Sequence, residues 1–243
     1  MSLSQNQLKL ITSLQRKKYR VMHNLFLVEG KKAVAEFLNS DFELHGLYCL
    51  HIEDYDTVDQ VCEVSTKELK KISSLKSPNN VVGVFKIKTP EKPVQSGFTL
   101  VLDGISDPGN LGTIIRLCDW FGVSQIVCST DTVDCYNPKV VQASMGSLAR
   151  VAISYTNIEK FLSTATLPVY ATGMSGDAIY ETEFPKECIL IMGNEANGVR
   201  QRVFDLASSV VTIPKFGLSN QTESLNVGTA TAVLLSEYRR ANQ

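Results

Sequence analysis

The sequence has no apolar run approaching the ~18 residues that a membrane-spanning helix needs, which excludes a helical span. The opening residues Met1-Ser2-Leu3-Ser4-Gln5 lack the charged and apolar regions of a signal peptide, so a cytoplasmic protein is expected. Histidine is scarce, with 3 in the chain. None of the 6 cysteines (Cys49, Cys62, Cys118, Cys128, Cys135, Cys188) forms a Cys-x-x-Cys pair or stands at zinc-site spacing with His23, His45 or His51. Reduced, mostly buried thiols and no metal are the expectation. Internal repeats and low-complexity tracts are absent, and a net charge of −1 advertises no polyanion partner.

What is present suits a folded protein of more than one domain. The 243 residues exceed the ~150 typical of one domain, and 44% apolar with 20% charged residues is ordinary globular composition. Charge comes in blocks. Residues 1–32 carry seven cations (Lys9, Arg16, Lys17, Lys18, Arg20, Lys31, Lys32) against Glu29 alone. Residues 41–63 carry seven acids and no Lys or Arg, and seven lysines follow between Lys67 and Lys92. Such blocks can build a basic face under a neutral sum.

Pro90 and Pro93, polar filler and Gly97 make residues 89–97 a linker. Before it, residues 1–88 read as a small α/β domain. Helical spacing opens at Leu3, Leu8, Ile11 and Leu14, and strands are expected at Leu25–Val28, Leu44–Leu50 and Val81–Ile87. After it, residues 98–243 alternate apolar runs with helical patterns. Strands at 98–102, 125–128, 168–172, 188–192 and 210–213, with helices near 110–121, 138–148 and 224–240, predict a parallel sheet covered on both faces. Ligands bind such sheets beyond the carboxyl ends of their strands, which directs attention to loops 103–112, 193–199 and 214–224.

The first loop runs Asp103-Gly104-Ile105-Ser106-Asp107-Pro108-Gly109-Asn110-Leu111-Gly112 and opens a helix holding Arg116, with Asp119 at i+3 as a candidate surface partner. Its glycines break the G-x-G-x-x-G dinucleotide spacing, and no Walker lysine follows. The second loop, Gly193-Asn194-Glu195-Ala196-Asn197-Gly198, places a carboxylate at the sheet rim between glycines. The third passes Ile213-Pro214 and ends at Ser224-Leu225-Asn226-Val227, where Ser224 is the expected cap of a helix rich in small residues.

In this order, Asn110-x-Gly112-x-x-x-Arg116, Gly193-Asn194-Glu195-x-x-Gly198 and Ile213-Pro214 with Ser224-Leu225-Asn226-Val227 resemble the SpoU (TrmH-like) family of RNA ribose methyltransferases. Phe26-Leu27-Val28-Glu29-Gly30, after the basic Arg16-Lys17-Lys18-Tyr19-Arg20 stretch, resembles that family's accessory RNA-binding domain, itself similar to small α/β ribosomal proteins. The resemblance implies an α/β fold with a deep C-terminal trefoil knot and a homodimer formed through the C-terminal domain. It also implies transfer of a methyl group from S-adenosylmethionine to a ribose 2′-hydroxyl of rRNA or tRNA, leaving S-adenosylhomocysteine, with no metal, membrane or DNA involved.

By the same resemblance Gly193, Asn194, Gly198, Ile213 and Leu225 would line the cofactor pocket, while Asn110, Arg116, Glu195, Ser224 and Asn226 would surround the methyl group and the 2′-hydroxyl. Glu195 would orient Arg116. Arg16, Lys17, Lys18, Arg20 and Lys31 would contact RNA phosphates, with Tyr19 and His23 suited to base stacking. Two departures stand out: a longer stretch between Gly217 and Ser224, and Gly228 where serine or alanine is more usual. Two other readings compete. One is an RNA-binding protein of this fold without chemistry, against which the intact Asn110, Arg116, Glu195 and Asn226 count. The other is a nucleotide-binding oxidoreductase, against which the broken glycine spacing counts.

Overall fold

The computed structural model describes residues 3–89, 91–217 and 224–242. In chain order the elements are α1 (Gln5–Ser13), α2 (Lys17–His23), β1 (Leu25–Glu29), α3 (Lys31–Leu38), β2 (Leu44–Cys49), β3 (Val61–Glu63), α4 (Thr66–Ile72) and β4 (Val81–Lys86). Then come β5 (Phe98–Asp103), α5 (Pro108–Trp120), β6 (Gln125–Ser129), α6 (Pro138–Ser144), β7 (Ala152–Thr156) and α7 (Ile158–Ser163). The chain closes with β8 (Val169–Ala178), β9 (Cys188–Gly193), α8 (Gln201–Phe204), β10 (Ser209–Thr212) and α9 (Val227–Ala241). They form two compact units, Met1–Thr89 with Asp134–Ala149, and Pro90–Val133 with Arg150–Gln243. A division into residues 1–88 and 98–243 therefore omits one detour: the segment carrying α6 packs into the first unit.

In the first unit a four-stranded sheet runs in the order β1-β4-β2-β3, with β2 and β3 parallel and the other pairs antiparallel. Ser4 and Gln7 cap α1 reciprocally, as do Ser65 and Glu68 for α4. Both helices put apolar residues (Ile11, Leu14, Leu69, Ile72) into one core with Leu25, Leu27 and Val84. A second cluster joins the rings of Phe26, Phe37, Phe42 and Phe85 to Tyr136, just before α6. Although β1 is an edge strand, all five of its residues are buried, since α6 lies against it.

Arg20 does not face an RNA partner. Its side chain is 2% exposed; Nη1 donates to the Leu14 carbonyl at 2.9 Å and Nη2 pairs with Asp134 at 2.6 Å. The basic stretch is a helix with an inner face, and the inward position falls on an arginine.

The second unit holds six parallel strands in the order β10-β8-β9-β5-β6-β7. The central β5 and β9 are apolar nearly throughout, as strands covered on both faces must be. Of the expected linker, residues 91–97 are tied along this unit: Val94 and Gln125 exchange two hydrogen bonds at 2.8 Å, and Gly97 N–H donates to Glu187 at 3.1 Å.

The closing helix begins later than expected. Asn226, not Ser224, caps α9, its side-chain oxygen accepting from Gly228 N and Thr229 N at 2.9 and 3.2 Å. Gly228 is where α9 meets α5: a Cβ there would lie 3.2 Å from Thr113 Cγ2. None of the six cysteines forms a disulfide and five are buried; burial pushes the Cys188 thiol up to about 12.

Candidate active site at the carboxyl rim of the sheet

Asp103 and Gly193 are in register at the carboxyl ends of β5 and β9, so the first two loops leave the sheet side by side. Gly104, at φ +72°, turns the chain off β5. Asp107 caps α5 by accepting from Asn110 N at 2.8 Å, with Pro108 in the first turn, so this helix starts two residues before the expected Asn110. On the neighbouring loop Asn194 and Gly198 exchange two backbone hydrogen bonds of 2.9 Å, closing a tight turn around Glu195. A side chain at Gly193 would sit 2.2 Å from the Gly198 carbonyl carbon, so only glycine permits the closure. Asn194 ties the loops together by donating to the Gly104 carbonyl at 2.6 Å.

The Glu195 carboxylate spans the gap. It accepts from Ser106 N and Asp107 N, each at 3.2 Å, from Ser106 Oγ at 3.2 Å and from Asn110 Nδ2 at 3.0 Å. Asn110 Oδ1 accepts from Asn226 Nδ2 at 2.8 Å, while Asn226 Oδ1 caps α9. A carboxylate only accepts, so it fixes the Asn110 amide with nitrogen toward Glu195 and oxygen toward Asn226, which in turn fixes Asn226. Three loops distant in sequence are thus joined by one chain of hydrogen bonds with a single donor direction, from the α9 amides to Glu195.

Beneath it lies an ion pair that spacing gave no means of finding. The Asp103 side chain, fully buried, accepts from Arg200 N at 2.8 Å and Arg200 Nε at 2.6 Å, and pairs with Nη2 at 2.5 Å. Arg200 Nη1 reaches Asp131 at 3.5 Å. Both ends of the Glu195 loop are therefore fastened to the end of β5.

Arg116 stands apart from this cluster. On α5 it shares an exposed face with Gly109, Thr113 and Trp120, at spacings of four, seven and eleven from Gly109. Asp119 is not its partner: that carboxylate is taken side-on by Arg150, with Nε at 3.0 and 3.1 Å and Nη2 at 2.7 Å. Nor does Glu195 orient it within one chain, since Glu195 is committed to Asn110 and the loop amides. Among the described residues nothing holds the Arg116 guanidinium. Ser224 is likewise exposed and outside the hydrogen-bond chain.

Of the expected pocket residues, Gly193, Asn194 and Gly198 form the loop just described, Ile213 is half-buried after β10, and Leu225 is 49% exposed. Residues 218–223, the longer part of the third loop, lie outside the described residues. Sequence reading missed Ser106 and Asp107 as partners of Glu195, although Asp107-Pro108 is a legible helix start. Among the described residues no group of three or more His, Cys, Asp or Glu side chains is placed to hold a metal.

Burial pushes the Glu195 carboxyl up, but its hydrogen bonds from Asn110, Ser106 and Asp107 outweigh that and hold it below the ordinary value. Stability from a lowered carboxyl is present above its unfolded value of about 4.3 and is lost as pH falls through the folded one. The melting difference between wild type and Glu195→Gln is therefore expected to be constant from about pH 6 to 8 and to shrink only below about pH 4. Melting curves across that range check this; a difference that changes between pH 6 and 8 contradicts it.

The SpoU rRNA Methylase family matches residues 97–236, and the MRM3-like substrate binding domain matches residues 5–83. The chain is 29% identical over 235 residues, 93% of each chain, to the 23S rRNA (guanosine(2553)-2′-O)-methyltransferase RlmP of Bacillus subtilis. Among solved structures, a TrmH-family protein from Porphyromonas gingivalis superposes with a TM-score of 0.91 at 39% identity, covering 98% of each chain. An AdoMet-bound rRNA methyltransferase from Sinorhizobium meliloti superposes at 0.87 with 31% identity, covering 99% of this chain and 97% of that one.

Proposed function

The chain belongs to the SpoU rRNA methylase family, and from that premise we propose that it is an S-adenosylmethionine-dependent methyltransferase acting on a ribose 2′-hydroxyl of RNA, with large-subunit rRNA the favoured substrate. The observation that carries the reading is the hydrogen-bond chain from Asn226 through Asn110 to Glu195, which gathers the motif residues of three loops at the rim where parallel sheets bind ligands. The Bacillus relative, matched along 93% of its length, bears the name of a 23S rRNA enzyme. No observation favours the reading without chemistry.

The residues present suit the cofactor. Gly198, at φ +69°, has open space where a side chain would stand, leaving backbone groups free to approach a ligand. Leu225 and Phe216, 49% and 81% exposed, offer apolar surface on the third loop for a purine. Gly193, Asn194, Gly198, Ile213 and Leu225 would hold S-adenosylmethionine, which when bound supplies a methyl group on a positively charged sulfur.

The chain's own part is alignment. Holding reactants at near-attack distance is worth about 7–11 kcal/mol at best, and a rim locked by Glu195, Asn110 and Asn226 meets that need. Arg116 is a poor starting base, since a guanidinium stays protonated in proteins. It serves instead as a charged, unpaired contact to the acceptor ribose and its phosphate. Ser224 lies beside this route, on the approach to α9.

Three further features belong to the reading. The C-terminal segment is threaded as a trefoil knot, supported by the likeness to TrmH-family structures. The second unit pairs with a second copy through the α5 face, supported by Trp120, 83% exposed beside Arg116 and Thr113. The protein works in the cytoplasm, a reading supported by six cysteines that form no disulfide. In the first unit, Arg16, Lys17, Lys18 and Lys31 remain exposed for phosphates, although Lys31 is shared with Asp54 at 2.7 Å.

Incubation with labelled cofactor and either rRNA transcripts or total tRNA tests substrate choice. Label in large-subunit rRNA is expected, and label confined to tRNA would overturn that assignment. Sedimentation of wild type and Trp120→Glu tests the pairing: a dimer shifted toward monomer supports it, and an unchanged mass contradicts it.

A further inference from the structure

The turn that carries Glu195 has both feet on one residue. At its start Gly193 lies opposite Asp103 in the register of β5 and β9. Past its end, Arg200 donates its backbone N–H to Asp103 Oδ2 at 2.8 Å and its Nε to Oδ1 at 2.6 Å, with Nη2 2.5 Å from that same oxygen. The Asp103 side chain is fully buried, and a buried charge is tolerated only with a partner this close. The remaining nitrogen, Nη1, lies 3.5 Å from Asp131.

Asp131 stands in the turn after β6, and that turn is itself joined to the first loop. Gly104 N–H donates to Ser129 Oγ at 2.8 Å, Ser129 Oγ meets Thr132 Oγ1 at 2.9 Å, and Thr132 Oγ1 donates to the Leu102 carbonyl at 3.3 Å. Ser129 also hydrogen-bonds the Asp131 carboxylate. One arginine side chain therefore ties the end of the Glu195 turn to β5 and to the turn after β6.

Small movements there reach the site. Glu195 accepts from Ser106 N and Asp107 N at 3.2 Å and from Asn110 Nδ2 at 3.0 Å. These distances are already at the long side of ordinary hydrogen bonds, so a shift of about 0.5 Å in the turn takes them out of range.

We propose that Arg200 is a positioning residue for the cofactor: through Asp103 and Asp131 it sets the Glu195 turn, and with it the Gly193 and Gly198 backbone that would receive S-adenosylmethionine. This rests on the RNA-methyltransferase reading and adds a residue that acts on the site without touching cofactor or RNA. Lysine is no substitute, because one ammonium cannot meet Asp103 from two nitrogens and Asp131 from a third.

The test uses the full-length protein and reads the turn in two ways. Hydrogen exchange in the ligand-free protein follows the Ser106 and Asp107 amides, which donate to Glu195 and not to Arg200. Calorimetric titration follows S-adenosylmethionine. Arg200→Lys keeps a cation beside Asp103 and is expected to melt near wild type, yet to exchange both amides about tenfold faster and to bind the cofactor about tenfold more weakly. Affinity for an rRNA transcript should not change. Millimolar guanidinium is expected to restore cofactor affinity to Arg200→Ala, since the side chain is 48% exposed and its place open to solvent; sodium chloride at the same concentration should not. Should Arg200→Ala melt too low to titrate, Arg200→Lys decides alone. Arg202→Lys, exposed on α8, is the control and should behave as wild type.

The proposal is overturned if Arg200→Lys exchanges both amides at the wild-type rate, or binds the cofactor as wild type does. It is also overturned if the loss falls on RNA affinity with cofactor affinity unchanged, which would make Arg200 an RNA contact. A wild type that does not bind the cofactor sinks the enzyme reading, and the exchange rates then still decide whether Arg200 sets the turn.

Discussion

Replacing Arg116 with alanine is expected to lower kcat for methyl transfer by about a hundredfold or more while leaving cofactor affinity and stability near wild type. The reasoning is that of a preorganised donor: removing one that meets developing or fixed negative charge costs about 10²–10³ in rate. What makes the expectation sharp is that, among the described residues of its own chain, Arg116 makes no hydrogen bond or ion pair. It is exposed, and Asp119, the carboxylate one turn away, belongs to Arg150 at 2.7 Å. Surface changes away from special features stay within about 0.5 kcal/mol of stability, so a loss of rate cannot be ascribed to unfolding. Arg116→Lys keeps the charge but loses the two-pronged geometry and should recover only part of the rate. Kinetics with saturating cofactor and RNA decide: a kcat within about twofold of wild type for Arg116→Ala contradicts the role.

The second large effect is on folding. Arg20→Ala removes one half of a buried ion pair and leaves Asp134 and the Leu14 carbonyl without their donor. Breaking such a pair from one side costs about 3–5 kcal/mol, and about 2–8 °C of melting temperature per kcal/mol for chains or domains of this size, so a fall of about 10 °C or more is expected. Arg20→Met with Asp134→Leu, which removes both charges, should restore much of the loss. A residue that merely touched RNA would show the opposite pattern, with unchanged melting and weaker RNA binding. Calorimetric melting therefore discriminates, and a fall of under about 2 °C would contradict the structural role.

That contrast shows where sequence reading stops. The strands and the three loops were legible because buried parallel strands are continuous apolar runs and because Gly, Asn and Pro mark the turns between them. Composition could not say which cation of Arg16-Lys17-Lys18-Tyr19-Arg20 points inward, since that depends on α2 forming separately from α1 and on Asp134, 114 positions away. Ser224 and Asn226 are both good caps; Asn226 takes the place because Asn110, held by Glu195, also receives its amide nitrogen. The Arg200–Asp103 pair spans 97 positions and carries no local signal. β7 and α7 were overlooked because their short, half-polar patterns resemble loop. What sequence misses here is consistently a side chain's choice among partners that only the folded chain brings near.

The central claim is tested most directly by incubating the purified protein with S-adenosylmethionine and unmodified large-subunit rRNA, then digesting the RNA to nucleosides for mass spectrometry. One nucleoside carrying an added methyl on its ribose, absent when Arg116→Ala replaces wild type, is the result expected. A methyl group on a base, or no transfer by a protein that binds both the cofactor and the RNA, would contradict the account.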